Sequence, residues 1–155
     1  MASEPSLEPI LAPVAARRAE YTAAYWLLRL FIGLRTLMAG VEKFENKGTY
    51  SVANYHQTMQ HIAEGITTAS FLPLWATRAF AQPLGYVLIV LGALVLLGIK
   101  PRWTLTLTGL VYVGLSFGLM AVQEQQGVAW LGTYLGLIAG ALVLSRHDRF
   151  GLWRD

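Results

Sequence analysis

The sequence contains no cysteine and few charged residues, and each scarcity excludes a class of function. Without cysteine, the chain forms no disulfide, thiolate metal site, iron–sulfur cluster or Cys-x-x-Cys redox pair. Charged residues make up 14% of the chain, whereas soluble domains carry roughly 25%. Hydrophobic residues make up 55% of the 155 positions. This balance favours an integral membrane protein with a single domain.

Residue patterns for catalysis and metal binding are also missing. His56 and His61, the two histidines away from the C-terminus, lie five residues apart, about 140° around a helix, so they do not share a face. No histidine falls within a long apolar run, which excludes haem ligation by two histidines of this chain. We find no nucleophile–base pair, phosphate loop or paired carboxylates in the apolar part. We therefore predict no metal site and no catalytic residues, so the chain is not expected to catalyse a reaction alone.

Four apolar runs are long enough to cross a bilayer, which takes about 20 residues per helix. They cover residues 23–41, 83–99, 103–122 and 128–144. We predict an all-α integral membrane protein, a four-helix bundle, in which Pro83 stands in the first turn of the second span. Residues 1–22 and 145–155 form the tails. The first tail is acidic and interrupted by prolines, so we expect the first span to be an uncleaved anchor.

Lysine and arginine positions predict the orientation. With four spans, the two tails and the second connection share one side, which carries Arg17, Arg18, Lys100, Arg102, Arg146, Arg149 and Arg154. The other side carries Lys43, Lys47 and Arg78. Seven against three predicts cytoplasmic N- and C-termini in a bacterial-type inner membrane. Because the basic residues flank the spans, the net charge of +3 does not indicate nucleic-acid binding.

Glycines recur along single helix faces, where small residues let two backbones approach closely. The stripes are Gly33 and Gly40 in the first span, Gly114 and Gly118 in the third, and Gly132, Gly136 and Gly140 in the fourth. The first stripe shares its face with Arg29. We expect these glycines to pack within one compact bundle. The alternative places one stripe, above all that of the fourth span, against another subunit or another copy of the chain.

The connection between the first two spans, residues 42–81, has a pattern of its own. Ser51 is a candidate N-cap. Apolar residues then recur at steps of three and four, at Val52, Tyr55, Met59, Ile62 and Ile66. This predicts an amphipathic helix that lies on the outer membrane surface or over the mouth of the bundle. Residues 71–75 (FLPLW) predict an interfacial or re-entrant segment, and this outer connection is a candidate docking surface for a partner.

The first span carries two arginines inside its apolar run. An arginine in hydrocarbon costs at least ~2.5 kcal/mol by insertion scales, so each needs water, phosphate or a protein partner. Arg29 lies about two turns from the start and can snorkel to the interface. Arg35 lies near the middle of the span, seven residues from Glu42 and therefore on the same helix face. Arg35 is therefore the stronger candidate for a functional site.

Each of the other spans supplies one tyrosine that Arg35 could meet: Tyr86, Tyr112 and Tyr134. Glu124, at the end of the third span, is a further polar candidate. An arginine among tyrosines in a lipid-accessible pocket can hydrogen-bond a quinone carbonyl or an anionic group. The same residues can equally form a structural network around a buried cation. The sequence leaves both readings open.

The phrase LLRLFIGLRTLMAGVEKF resembles the opening helix of the DoxX-like proteins, which include the DoxD-type small subunit of thiosulfate:quinone oxidoreductase. The matching positions are Leu28, Arg29, Leu30, Gly33, Gly40 and Lys43, and in the second span Leu96, Leu97, Gly98 and Arg102. The resemblance extends over residues 27–144 and implies a four-helix inner-membrane protein associated with redox or sulfur metabolism. It departs where family members often carry an acidic residue early in the second span, here Leu84 to Tyr86, and Arg35 lies outside the motif.

Three hypotheses follow. The first is a small inner-membrane subunit of a larger redox or respiratory-type complex, which anchors a partner and shapes a pocket for a quinone or a structural lipid through Arg29, Arg35, Glu42 and Lys43. The second is a small transporter or channel for an anion or metabolite that acts as a homo-oligomer. The third is a quinone-reductase subunit that depends on a partner chain for its chemistry. Membrane lipids and other subunits are the expected partners, and no covalently bound cofactor is expected.

Overall fold

The computed structural model describes residues 8–46 and 48–147, and this part of the chain is almost entirely helical. Its helices are α1 (Glu8–Val41), α2 (Val52–Ala69), α3 (Leu74–Leu97), α4 (Pro101–Ala121) and α5 (Gln125–Leu144), with 3₁₀ turns at Glu42–Phe44 and Ser145–His147. Between α1 and α2, the two-residue strands β1 (Glu45–Asn46) and β2 (Thr49–Tyr50) pair antiparallel. The predicted all-α four-helix bundle is confirmed.

Four of the helices in the described ranges are long and apolar enough to cross a membrane: α1 over Ala19–Phe44, and α3, α4 and α5 over their full lengths. Large apolar side chains such as Leu27, Val90 and Trp103 are exposed on α1, α3 and α4. In water this exposed apolar surface would promote aggregation, whereas in a bilayer it faces lipid tails. These four helices indicate a multi-pass membrane protein.

Several boundaries differ from those predicted. Helix α1 begins at Glu8, so much of the predicted N-terminal tail is helical. Helix α3 begins at Leu74, so the prediction that Pro83 stands in its first turn is wrong. A proline within a helix removes one backbone donor, and the hydroxyl of Tyr55 meets the backbone beside it, as described below. Residues 1–7 and 148–155 of the predicted tails, and Lys47, lie outside the described residues.

The helices pack in two pairs, α1 with α3 and α4 with α5, and α1 also contacts α5. The turns and connections between these helices lie at the two ends of the bundle. We call the end with the Glu42–Phe44 turn and α2 the loop end, and the end with Lys100 and Ser145 the terminal end.

The α1–α3 contact is built on glycines, and we call it the closed seam. Gly33 faces Leu96, Gly92 faces Leu37, and Gly40 faces Gly85 and Ile89. A Cβ added at Gly40 would lie 2.8 Å from the Ile89 amide nitrogen and 2.9 Å from the Gly85 carbonyl oxygen. The two backbones are therefore too close for any side chain here, and the seam leaves no groove.

The glycine stripe of α5 is packed less closely than the glycines of the closed seam. A Cβ added at Gly132 or Gly136 would meet no atom within 4 Å, and the same holds for Gly118 of α4. The expectation that these three glycines pack inside the bundle is therefore wrong. Gly140 is 3.9 Å from a Leu28 methyl group by the same measure, and Gly114 lies against the Phe80 ring.

Helix α2 is the amphipathic helix that the sequence predicted. The Ser51 hydroxyl caps it by accepting a hydrogen bond from the Asn54 amide at 3.1 Å. Its buried residues, Tyr55, Met59 and Ala63, pack with Ala81 of α3 and its neighbours. The apolar face of α2 is therefore covered by protein rather than by lipid. The connection to α3 is only four residues, Ser70 to Pro73, which is too short for a re-entrant segment.

Candidate functional site

Arg29, the first of the two arginines, is buried at the terminal end and caps α3. Its Nε and Nη2 donate to the carbonyl oxygens of Val95 and Leu96, each at 2.8 Å, and its guanidinium lies 4.7 Å from the centre of the Trp26 ring. The last four carbonyls of a helix lack partners within it and carry partial negative charge. Arg29 supplies both hydrogen bonds and positive charge at this point. Its role is structural.

Gly98 makes that cap possible. It ends α3 in the left-handed conformation, with φ of 70°, and its amide bonds to the Leu94 carbonyl at 3.0 Å. A Cβ at this position would overlap the Arg29 guanidinium. Arg29 and Gly98 thus form one helix-capping unit.

Arg35 occupies a different environment, at the contact of α1 with α5. Its Nη1 lies 3.6 Å from Glu42 Oε1, and its guanidinium carbon lies 5.7 Å from the centre of the Tyr134 ring. Phe31 packs against the same ring at 6.2 Å between centroids. We call these four residues the Arg35 groove. Tyr134 is the tenth of the 20 residues of α5, so Arg35 and this ring lie at the middle depth of the bundle, and Glu42 pairs with Arg35 from the loop end.

The groove is open on one side. The Arg35 side chain is 39% exposed and that of Glu42 is 58% exposed. Behind the groove, the Thr36 hydroxyl of α1 and the Tyr112 hydroxyl of α4 are within hydrogen-bond distance at 3.2 Å, and both residues are buried. The guanidinium and the phenols are hydrogen-bond donors, so the arrangement is suited to a ligand that presents an oxygen acceptor.

The predicted site residues thus separate into three places, because Arg29 lies at the terminal end, apart from the others. Tyr134 and Tyr112 lie at or behind the groove, and Glu42 leans towards Arg35 as the shared helix face suggested. Tyr86 lies instead at the loop end, where its ring centroid is 5.2 Å from that of Phe44. Lys43 is half-buried in the 3₁₀ turn, and Glu124 is exposed beside the start of α5.

The loop end holds a contact that sequence reasoning missed. The Tyr55 hydroxyl donates to the Gln82 carbonyl and accepts from the Gly85 amide at 3.1 Å, on either side of Pro83. Its ring stacks on Phe44 at 4.4 Å. Burial raises the pKa of the Tyr55 phenol above its ordinary value. The available signal was a proline inside a long apolar run, because a proline there interrupts the helix backbone hydrogen bonds.

Within the described residues, no group of three or more histidine and carboxylate side chains could hold a metal ion. A shallow polar groove runs along the outer face of α2, lined by Gln57, His61, Glu64 and their neighbours. Its residues all come from one exposed helix. The Arg35 groove places a cation beside the Tyr134 phenol, with the Thr36 and Tyr112 hydroxyls behind it, and is therefore the candidate site.

Comparisons with protein-family models, with curated proteins and with solved structures found no significant match. The case for a function therefore depends on the residues of this chain and on the environment that the four apolar helices require.

Proposed function

We propose that this chain is a small subunit of a larger membrane assembly of redox or respiratory type, in which a partner chain or a bound ligand covers the Arg35 groove. The observation that carries the proposal is the exposure of Arg35 at middle depth, where its charge is paired only with the exposed Glu42 at the loop end. Lipid tails offer no hydrogen bonds, and an uncovered arginine at this depth costs at least ~2.5 kcal/mol. A polar group seated in the groove removes that cost.

The chemistry of the groove favours a quinone-type ligand among small molecules. A quinone head group presents carbonyl oxygens, which accept from a guanidinium and from a phenol hydroxyl. An opening towards the bilayer suits a ligand that dissolves in lipid. A structural lipid would enter by the same route. The resemblance of the first two spans to DoxX-like proteins supports a redox setting.

The absence of catalytic residues from the apolar part of the sequence supports a subunit rather than a self-contained enzyme. In this proposal a partner supplies the electron-transfer chemistry, and the present chain positions the partner or the quinone.

The test compares two arginine–glutamate pairs of matched geometry. Arg78 lies 3.6 Å from Glu64 with both side chains about half exposed, as in the Arg35–Glu42 pair, but near the loop end. The tagged chain and its Arg35→Gln and Arg78→Gln variants are purified gently from native membranes. Co-purifying proteins are identified by mass spectrometry and extracted quinone is quantified.

We expect the wild-type chain and the Arg78→Gln variant to retain a partner or quinone, and the Arg35→Gln variant to lose it. Recovery of the wild-type chain as a lone monomer without either would contradict the proposal. So would equal retention in all three proteins.

A second candidate is an anion or metabolite transporter formed by several copies of the chain. The open face around Gly132 and Gly136 favours it, because small residues let helices of two copies approach closely. Arg35 would then line an anion path, and Arg35→Gln should abolish uptake into reconstituted vesicles. Anion uptake no greater than that of empty vesicles would contradict this function.

A further inference from the structure

We infer that Phe71 and Trp75 form an anchor in the headgroup–acyl boundary of the bilayer at the loop end. Phe71 is 82% exposed and Trp75 is 75% exposed, the two highest values among the large apolar side chains in the described part of the protein. Phe71 lies in the short connection between α2 and α3, and Trp75 is the second residue of α3. This inference goes beyond the proposed function and does not depend on it.

The length of α3 fixes the depth of Trp75. The 19 steps between the 20 residues from Arg78 to Leu97 span about 28 Å along a helix, close to the ~30 Å thickness of a hydrocarbon core. Arg78, which pairs with Glu64, therefore marks one boundary of the core. Trp75 lies one turn beyond it, at the level of the lipid headgroups. At the other boundary, Trp103 is 66% exposed just after the end of α3.

The direction in which Trp75 faces also indicates lipid. Trp75, Tyr86, Val90 and Leu97 fall within about 60° of one another around α3, and all four are exposed. The last three lie within the hydrocarbon length and face lipid tails. Trp75 lies on the same stripe one turn beyond Arg78. The stripe therefore faces lipid tails along Tyr86, Val90 and Leu97 and lipid headgroups at Trp75.

The chemistry of the residues suits that level. Tryptophan has a large apolar ring with one polar N–H, and it is enriched where the bilayer meets water. The neighbouring surface is polar, because the half-exposed side chains of Arg78 and Glu64 pair there. The apolar face of α2 is already packed on α3. Phe71 and Trp75 are thus the large apolar side chains at this point of the chain that are left exposed to contact lipid.

Tryptophan fluorescence tests the placement. A variant that keeps Trp75 and carries phenylalanine at the other four tryptophans is reconstituted into vesicles of phosphatidylcholine and phosphatidylglycerol. Nitroxide-labelled lipids then quench the emission. We expect greater loss of fluorescence with a shallow label near the headgroup than with a mid-chain label. A matched variant that keeps only Trp103 should behave in the same way.

The absence of cysteine allows an independent measurement with a single spin label. The label is placed at Phe71→Cys, and at Gln60→Cys on the exposed polar face of α2 as a control. We expect oxygen, which concentrates in lipid, to relax the first label more than a water-soluble nickel complex does, and the reverse for the second. Equal behaviour of the two labels, or emission from Trp75 that lipid labels do not quench, would overturn the anchor. So would a Phe71 label that neither reagent reaches, because that would place protein over it.

Discussion

The two sides of α1 differ in how completely the chain covers them. On the side of α3, the closed seam brings two backbones together at Gly33, Gly40 and Gly92, and Arg29 seals its terminal end. On the side of α5, the Arg35 groove leaves a cation and a carboxylate partly uncovered. Both arginines stand in the same helix six residues apart. The first meets its partners within the chain, and the second lacks complete cover.

The difference shows which polar groups in a membrane helix belong to the fold. Arg29 supplies hydrogen bonds to carbonyls at the end of α3, so it stabilises the fold. Arg35 is held by an ion pair longer than an ordinary hydrogen bond and by a ring contact, so the fold gains little from it. The closed seam should therefore respond to mutation through stability, and the open side through association.

The largest loss of stability is expected from Arg29→Leu. The substitution leaves the Val95 and Leu96 carbonyls without a charged donor, and hydrogen bonds to charged groups are each worth about 1.5–3 kcal/mol. We expect a loss of about 3 kcal/mol in the free energy of unfolding, measured by denaturant titration in detergent. Arg35→Leu is the control and should cost much less. Equal losses would show that both arginines are parts of the fold.

The next largest effect is expected from Gly40→Ala in the closed seam. The new methyl group would meet the backbone of α3 at Gly85 and Ile89, which cannot move aside as a side chain can. Overpacking of this kind typically costs about 1–3 kcal/mol. Gly132→Ala, on the open face of α5, is the matched control and should be neutral in the isolated chain. Thermal unfolding in detergent distinguishes the two, and similar melting temperatures would contradict the assignment of the closed seam.

The sequence allowed more of the open side of α1 to be predicted than of the closed seam. Hydrophobic run lengths predicted four spans, and the seven-residue spacing of Arg35 and Glu42 predicted their shared face, because both depend on local helix geometry. The cap formed by Arg29 depends on the antiparallel register of α1 and α3, which joins residues 67 positions apart. No local pattern encodes that register.

The same limit applies to Pro83 and to the α5 glycines. Helix α3 begins at Leu74 and continues through Pro83, and the Tyr55 hydroxyl that meets the backbone beside this proline comes from a different helix. Glycine spacing in α5 defines a face, but it does not say whether that face points into the bundle or away from it. The packing of the neighbouring helices decides, and it leaves Gly132 and Gly136 uncovered.

A smaller and pH-dependent effect is expected at Tyr55, which ties α2 to the loop end of the closed seam. Because burial raises its pKa in the folded chain, the unfolded chain loses this proton first as the pH rises past about 10. The contribution of Tyr55 is thus present below that pH and is lost above it. We expect Tyr55→Phe to cost about 1 kcal/mol at neutral pH and to reduce the alkaline loss of stability. Unfolding titrations over a pH series measure both, and an unchanged alkaline slope would contradict the burial of this phenol.

The smallest effect on the isolated chain is expected from Arg35→Gln. Exposed ion pairs contribute about 0–1 kcal/mol, so the free energy of unfolding in detergent should fall by less than that, as it should for Arg78→Gln. Only in native membranes should the two variants differ, because the Arg35 groove alone is expected to hold a partner or a ligand. A loss of stability for Arg35→Gln that approaches that of Arg29→Leu would show a structural network in the groove, and the open side would then need no other molecule. A variant that unfolds like the wild-type chain yet no longer retains its partner would separate the two sides of α1 completely, since a residue that the fold does not require can cause that loss only through what it binds.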